Sequence, residues 1–185
     1  MSAKKRYRPL WVILHWLMAL LIFAAFGIGL LSLVNTSNTG QKLVPLAVHM
    51  TLGLAILLIV TLRFLMRMLI YKPVRRTAST PAISAKKNLF LDQLTPYVHP
   101  LLYFFTALMA LLGVAIALPA NLFPIVFGRS GASLPANFYV FPTRTWHGTI
   151  SLVLMLLIVQ HVLVAIFHQF LKGENFLGRM WFTKK

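Results

Sequence analysis

Four long apolar stretches dominate this chain, and polar or basic segments separate them. Each holds roughly 20 or more mostly apolar residues, enough for a helix to cross a hydrocarbon core of about 30 Å. The stretches cover about 10–34, 44–71, 97–119 and 146–171. This pattern predicts an all-α membrane protein, in which a single domain (1–185) is a bundle of four transmembrane helices.

The first stretch also has an interpretation as a signal peptide, because a basic segment precedes it. We expect a retained helix instead. The apolar run is longer than a signal peptide needs, and no small-residue cleavage motif follows it.

Composition supports the membrane interpretation and limits the chemistry. Hydrophobic residues make up 59% of the chain and charged residues 11%, and the net charge is +16. That charge does not indicate a nucleic-acid partner, because soluble basic proteins lack four such apolar stretches. The absence of cysteine excludes disulfides, thiolate-bound iron–sulfur clusters and c-type haem attachment. Any haem must be held by histidine or methionine without a covalent link.

The distribution of cations predicts the topology. Four Lys or Arg residues precede the first stretch, seven belong to the second-to-third connection (with Arg63 and Arg67 included), and four follow the last stretch. The other two connections hold only Lys42, Arg129 and Arg144. Cytoplasmic loops carry an excess of Lys and Arg, so we expect both termini in the cytoplasm.

Histidines are the candidate functional residues of the apolar stretches. His147, His161 and His168 share the fourth stretch at steps of 14 and 7 residues. Both steps are close to whole helical turns, so the three side chains project from nearly one face. His15 and His49 lie in the first and second stretches. Ionisable side chains within a membrane are costly and indicate function.

Depth in the membrane sorts these histidines into pairs. His49 and His147 both lie near the outer starts of their helices, and His15 and His161 lie toward the inner side. The 14 residues from His147 to His161 correspond to a rise of about 21 Å. That distance suits two cofactors stacked across one bilayer. Pairing of His15 with His168, or of His99 with His161, stays possible.

Paired histidines favour haem over other ligands. Two imidazoles fill the axial positions of a haem iron, whereas zinc sites gather three or four ligands. A proton relay would normally include a buried acid, but the only acids are Asp92 and Glu174, outside the stretches. Hydrogen bonding between helices is the alternative for a single histidine. For four histidines at matched depths we predict two b-type haems.

Several further residues have two interpretations. Arg144 near the outer pair, and Arg63 and Arg67 toward the inner face, are candidates to bind haem propionates or to anchor lipid headgroups. The segments 35–41 and 120–145 are either caps over a cofactor or membrane-surface loops. The same ambiguity holds for small residues, which make room for porphyrin or serve helix packing; they are Gly27, Gly29, Gly53 and Gly113.

The residues that point to a known family occur in all four stretches. They are His15-Trp16, His49 with Gly53 and Arg63, His99-Pro-Leu-Leu-Tyr103, and the series His147, His161 and His168. Together they resemble the bacterial cytochrome b561 family over about 6–182.

The resemblance implies a di-haem b protein of the bacterial inner membrane that moves electrons to or from ubiquinone. His15 and His161 look like ligands of the cytoplasm-side haem, and His49 and His147 like those of the periplasm-side haem. One type in the family is a superoxide oxidase, in which histidines matching His99 and His168 flank the quinone site. Lys86, Lys87 and Asp92 could assist there or form a solvated face.

One departure concerns the outer electron donor. An acidic residue can follow the first histidine of the last helix in this family, and Gly148 occupies that position here.

We expect superoxide oxidation at the periplasmic face and ubiquinone reduction near the inner haem. The alternative is a cytochrome b subunit that passes electrons between quinol and a periplasmic redox protein. A transporter is a third class, and it predicts no haem.

Overall fold

The computed structural model describes residues 9–70, 90–128, 130–170, 173 and 178. Four long helices account for most of this part of the chain: α1 (Pro9–Gly27), α2 (Leu43–Ile70), α3 (Phe90–Ala117) and α5 (Pro142–Phe170). A short helix, α4 (Leu122–Val126), lies between the last two. The described residues include no strand, and four helices are long and apolar enough to span a membrane. The predicted all-α architecture with four candidate spans is confirmed.

Two helices begin earlier than the apolar pattern predicts. α3 starts at Phe90 rather than after Pro96, so that Pro96 and Pro100 lie within the helix. Proline removes one backbone hydrogen bond but does not prevent a helix in a membrane protein, where neighbouring groups compensate. α5 starts at Pro142, ahead of the predicted Trp146. Proline is well suited to the first helical position, because its fixed φ is already helical.

The first span changes its helical type before it ends. Residues Ile28–Leu33 continue α1 as a π-helix, and the amide of Val34 donates to the carbonyl of Gly29, five residues back, at 3.2 Å. Such wider turns are rare and often lie at functional sites. Here the π-helix lies beside the start of α2.

The long helices pack in a row that leaves one side open. α2 packs against α1 and α3, and α3 packs against α5. Among the described residues, α5 does not pack extensively against α1 or α2. Contacts of α5 with α1 and α2 must therefore be made by long side chains that reach across the gap between the helices.

Two loop segments close one end of the bundle, which we call the loop end: residues 34–42 and 118–141. Asn38 Nδ2 donates to the carbonyls of Pro135 (3.1 Å) and Ala136 (2.9 Å). Beneath this tie, α4 packs in an apolar cluster: Leu46, Ala117, Ala120, Leu122, Ile125 and Leu134. The loops thus form one folded cap. The opposite end, where α1 begins and α5 ends, is the terminus end.

Several sequence predictions lie outside the described residues. These are Lys86, Lys87, Arg129, all the cations of the two terminal segments and the side chain of Asp92. The cytoplasmic position of the termini stays a prediction.

Candidate functional site

The loop end holds one pair of histidines on helices that do not pack closely together. His49 projects from the second turn of α2, and His147 from the second turn of α5. Their ring centres are 6.2 Å apart, and their planes are inclined by 71°. The pair joins α2 to α5 across the open side of the bundle.

A backbone carbonyl of α1 orients the His49 ring. Nδ1 of His49 lies 2.9 Å from the carbonyl oxygen of Ala25, just before the π-helix. Because a carbonyl oxygen only accepts, Nδ1 must carry the proton and donate. Nε2 then keeps its lone pair, which is the state that a metal ligand requires.

Glycines make room for both rings. A Cβ at Gly29 would lie 3.3 Å from Cε1 of His49, and a Cβ at Gly113 would lie 3.4 Å from Cε1 of His147. These two glycines therefore accommodate the histidines themselves. Nδ1 of His147 is buried, and its interaction with the backbone of Met109 falls outside normal hydrogen-bond geometry, so its ring is held less firmly than that of His49.

The second pair lies deeper, toward the terminus end. His15 on α1 and His161 on α5 have ring centres 6.2 Å apart, with planes inclined by 67°. His161 follows His147 by 14 residues of continuous α-helix, which corresponds to a rise of about 21 Å. The two pairs thus lie on one face of α5 at different depths.

The spacing within each pair fits two axial ligands of one metal. An imidazole nitrogen lies about 2 Å from the metal that it binds, and the ring centre lies roughly 1 Å behind that nitrogen, so opposed ligands have ring centres roughly 6 Å apart. Both pairs have this spacing. Among the described residues, no three His, Asp or Glu side chains form a metal-binding group. Two imidazoles per pair are the protein ligands that a b-type haem requires.

His99 lies closer to His161 than an axial partner would. The two ring centres are 5.0 Å apart, and the planes are nearly perpendicular at 82°. All three histidine pairs meet edge-on, and this one has the shortest spacing. The spacing favours His15 over His99 as the partner of His161. The side chain of His99 is exposed.

The interior between the pairs is loosely filled. Protein interiors are normally packed as densely as organic crystals. Among the described residues, however, no side chain is fully enclosed. Gly53 lies one turn from His49 on the same face of α2, and a Cβ built there would meet nothing within 4 Å. The helix face beside His49 therefore has room for a planar group.

A buried arginine lies near the deeper pair. Arg63 is 8% exposed, and its Nε donates to the hydroxyl of Tyr103 at 3.0 Å. Its Nη1 is buried without a hydrogen-bond partner. The charge of Arg63 acts on both His15 and His99. An unpaired guanidinium nitrogen in this position suits the carboxylate of a haem propionate.

Arg144 takes the corresponding position at the loop end. It precedes His147 by one turn, and its charge acts on His49 and His147. The guanidinium lies over the ring of Tyr139, 5.1 Å from its centre. A Cβ at Gly148 would lie 3.2 Å from Arg144 Nη1, so this glycine lets the arginine lie along the helix.

His168 lies two turns beyond His161 along α5. It is 9% exposed, and its ring contacts that of Phe167 with centres 5.9 Å apart. The roles of His99 and His168 at a quinone stay predictions.

Two contributors to the site were not predicted from the sequence: the Ala25 carbonyl and the bonds of Asn38. A backbone carbonyl has no side-chain signature, so nothing in the sequence marked it. Asn38 lies in the segment 35–41, which has interpretations as a cap and as a surface loop, but its bonds to Lys42 and to 135–136 were not predicted. Tyr103 is among the residues that carry the family resemblance, but its hydrogen bond to Arg63 was not predicted.

Comparison with known proteins identifies a family with this architecture. A search among curated proteins gives no match. The family model described as prokaryotic cytochrome b561 matches residues 6–183, nearly the whole chain. Members of such a family transfer electrons in the membrane through b-type haem, which agrees with the paired histidines described above. This chain belongs to the prokaryotic cytochrome b561 family.

Proposed function

We propose that this protein is a superoxide:ubiquinone oxidoreductase with two b-type haems. His49 and His147 hold one haem, and His15 and His161 hold the other. The observation that carries this proposal is the equal spacing of 6.2 Å within two histidine pairs at two depths of one helix bundle. Bound haem supplies one-electron redox centres, as the chemistry of superoxide requires.

The distribution of Lys and Arg residues indicates how the protein is oriented in the membrane. The loop end carries few Lys and Arg residues, and the segments that flank the terminus end carry fifteen of the 18. By the positive-inside rule, the loop end faces the periplasm and the terminus end the cytoplasm. The protein is then a multi-pass protein of the bacterial inner membrane.

The loop end suits a small anionic substrate. Its two loop segments contain no Asp or Glu, and Lys42, Arg129 and Arg144 give the region a positive potential. Such a field raises the association rate of an anion by about 10–10³-fold. Two superoxide anions each lose one electron here, and two O₂ molecules leave.

The terminus end suits the reduction of a quinone. Ubiquinone takes up two electrons and two protons to form ubiquinol, which balances the oxidation of two superoxide anions. The exposed imidazole of His99, in contact with His161, can hydrogen-bond to a quinone carbonyl and transfer a proton. His168, farther along α5, is the second candidate for this role.

A cytochrome b subunit is the second candidate function. The acid-free loop end would also suit an acidic periplasmic redox protein. Such a subunit binds haem and exchanges electrons with quinol, but it does not oxidise superoxide by itself.

A turnover measurement on the purified protein separates these functions. The protein in detergent is assayed for haem content, and then mixed with potassium superoxide and a soluble ubiquinone in a stopped-flow spectrophotometer. We expect two haems per chain, rapid haem reduction by superoxide and reoxidation by quinone, with dismutase abolishing the first phase. Two haems that do not respond to superoxide would overturn the oxidase proposal and favour the subunit. A protein without haem would overturn both.

His99→Ala provides a matched variant for the same assay. This change leaves the four proposed haem ligands in place. It should keep the superoxide-driven haem reduction and slow the reoxidation by quinone about 10-fold or more, because general acid–base groups typically contribute 10²–10⁴-fold.

A further inference from the structure

Lys42 is a buried cation at the loop end. Its side chain is 8% exposed, and Nζ donates one hydrogen bond of 2.6 Å to Asn38 Oδ1. An ammonium group has three donors, so further bonding capacity remains. The two loop segments of this end contain no Asp or Glu. Lysine is rarely buried unless it is paired with an anion.

Arg144 brings a second positive charge to the same region. Its charge acts on Lys42 as well as on both histidines of the loop-end pair. Two like charges repel each other. An anion between them would turn this repulsion into attraction.

Helical register places both cations above the histidine pair. Lys42 precedes His49 by seven residues, close to two turns, and Arg144 precedes His147 by three. The backbone of each cation therefore lies on the loop side of its histidine, and the Arg144 guanidinium extends along α5 toward Gly148.

The cap holds the two cations in place. Asn38 accepts from Lys42 and donates to the carbonyls of Pro135 and Ala136. Three residues beyond Ala136, the ring of Tyr139 lies under the Arg144 guanidinium. Contacts within the two loops thus connect Lys42 to Arg144.

We propose that Lys42 and Arg144 together bind a carboxylate above the His49–His147 pair. The planar fork of arginine matches a carboxylate, and the lysine ammonium adds a point charge. The carboxylate comes either from a propionate of the haem held by this pair or from a dissolved acid at the membrane surface. The inference rests on the proposed function, because it requires a haem at this pair.

The test separates the charge of Lys42 from its hydrogen bond. Lys42→Gln removes the charge but can still donate to Asn38, and Lys42→Arg keeps the charge. Asn38→Ala keeps the charge and removes the tie between the loops. Arg67→Gln removes an exposed cation near the other end of α2 and is the control for the loop-end haem alone.

The readout is the midpoint potential of each haem in the purified holoprotein, measured by spectroelectrochemistry. A nearby cation disfavours the more positive ferric state. Lys42→Gln should therefore lower the potential of one haem, with an expected change of roughly tenfold in the reduction equilibrium, or 59 mV for one electron. Lys42→Arg should keep both potentials near the wild type, and Arg67→Gln should leave the potential of the loop-end haem unchanged. Selective loss of one haem in Lys42→Gln, with retention in Lys42→Arg, would also support the proposal.

Sodium acetate at constant ionic strength distinguishes the two sources. A saturable shift in the wild-type potential that Lys42→Gln abolishes indicates a dissolved carboxylate, and no shift indicates the propionate. Wild-type potentials in Lys42→Gln would overturn the inference while the haem proposal stands. An equal shift in Asn38→Ala would also overturn it, because Lys42 would then serve only the loop tie. A wild-type protein with no haem would overturn the proposed function instead.

Discussion

Two glycines determine how closely the histidines of the loop end are held. The Cβ positions at Gly29 and Gly113 lie 3.3 and 3.4 Å from the rings of His49 and His147, respectively. His49 is bonded to the Ala25 carbonyl, whereas Nδ1 of His147 interacts with the backbone of Met109 only outside normal hydrogen-bond geometry. His147 is therefore free to retreat by a few tenths of an ångström, while His49 would lose its hydrogen bond.

Alanine at these two positions should have unequal effects. Gly29→Ala should weaken haem binding about fivefold, since a hydrogen bond contributes about 1 kcal/mol, and Gly113→Ala should have a smaller effect. The measurement is haem retention during competition with a haem-free acceptor protein. Gly27→Ala is the control, because a Cβ there meets nothing within 4 Å. Equal losses for Gly29→Ala and Gly113→Ala would contradict the argument.

Arg63 is expected to lower the stability of the haem-free protein. Its buried Nη1 lacks a partner, and an unpaired buried charge destabilises a fold. Arg63→Met should therefore leave the haem-free protein as stable as the wild type or more so. The same change should weaken haem retention, by about 1.5–3 kcal/mol if a hydrogen bond to a charged group is lost.

Thermal unfolding of the haem-free protein and haem retention of the loaded protein test this pair of opposite effects. Tyr103→Phe is the control, since it removes only the hydroxyl that accepts from Arg63 Nε. If Arg63→Met destabilised the haem-free protein by several kcal/mol, a structural role for Arg63 would replace the propionate role.

At the scale of the helices, the apolar pattern predicted the four spans but not their starts. Apolar length determines that a segment crosses the membrane. The third helix, predicted to begin after Pro96, begins at Phe90, and the fourth, predicted to begin near Trp146, begins at Pro142. The π-helix was also not predicted, because its hydrogen bonding depends on the neighbouring helix. The 14-residue step from His147 to His161 lies within one uninterrupted helix.

Inserting one alanine between His147 and His161 tests the importance of this step. An insertion after Val153 rotates the two rings by about 100° relative to each other, so that α5 can serve only one pair. We expect one haem per chain instead of two, by pyridine haemochrome assay. The matched control is an alanine inserted after Pro142, ahead of both histidines. Two haems in the first variant would show that the helical register does not determine the pairs.

At the scale of the whole molecule, the sequence located the histidines but left their pairing open. Their depths suggested which rings share a level, and the side of each helix that faces the others depends on packing that a single sequence does not specify. The burial of Lys42 depends likewise on the folded loops. In the structure, His161 contacts both His15 and His99, and only the spacing to His15 matches that of the loop-end pair.

Single alanine variants distinguish the pairings by haem count. His15→Ala and His49→Ala should each retain one haem, with different absorption maxima and midpoint potentials, because each removes a ligand of a different centre. The double variant should retain none. His99→Ala should retain two haems, since its ring centre lies 5.0 Å from that of His161, about 1 Å short of the spacing of opposed ligands. Two haems in His15→Ala together with one in His99→Ala would reverse the assignment and make His99 the partner of His161.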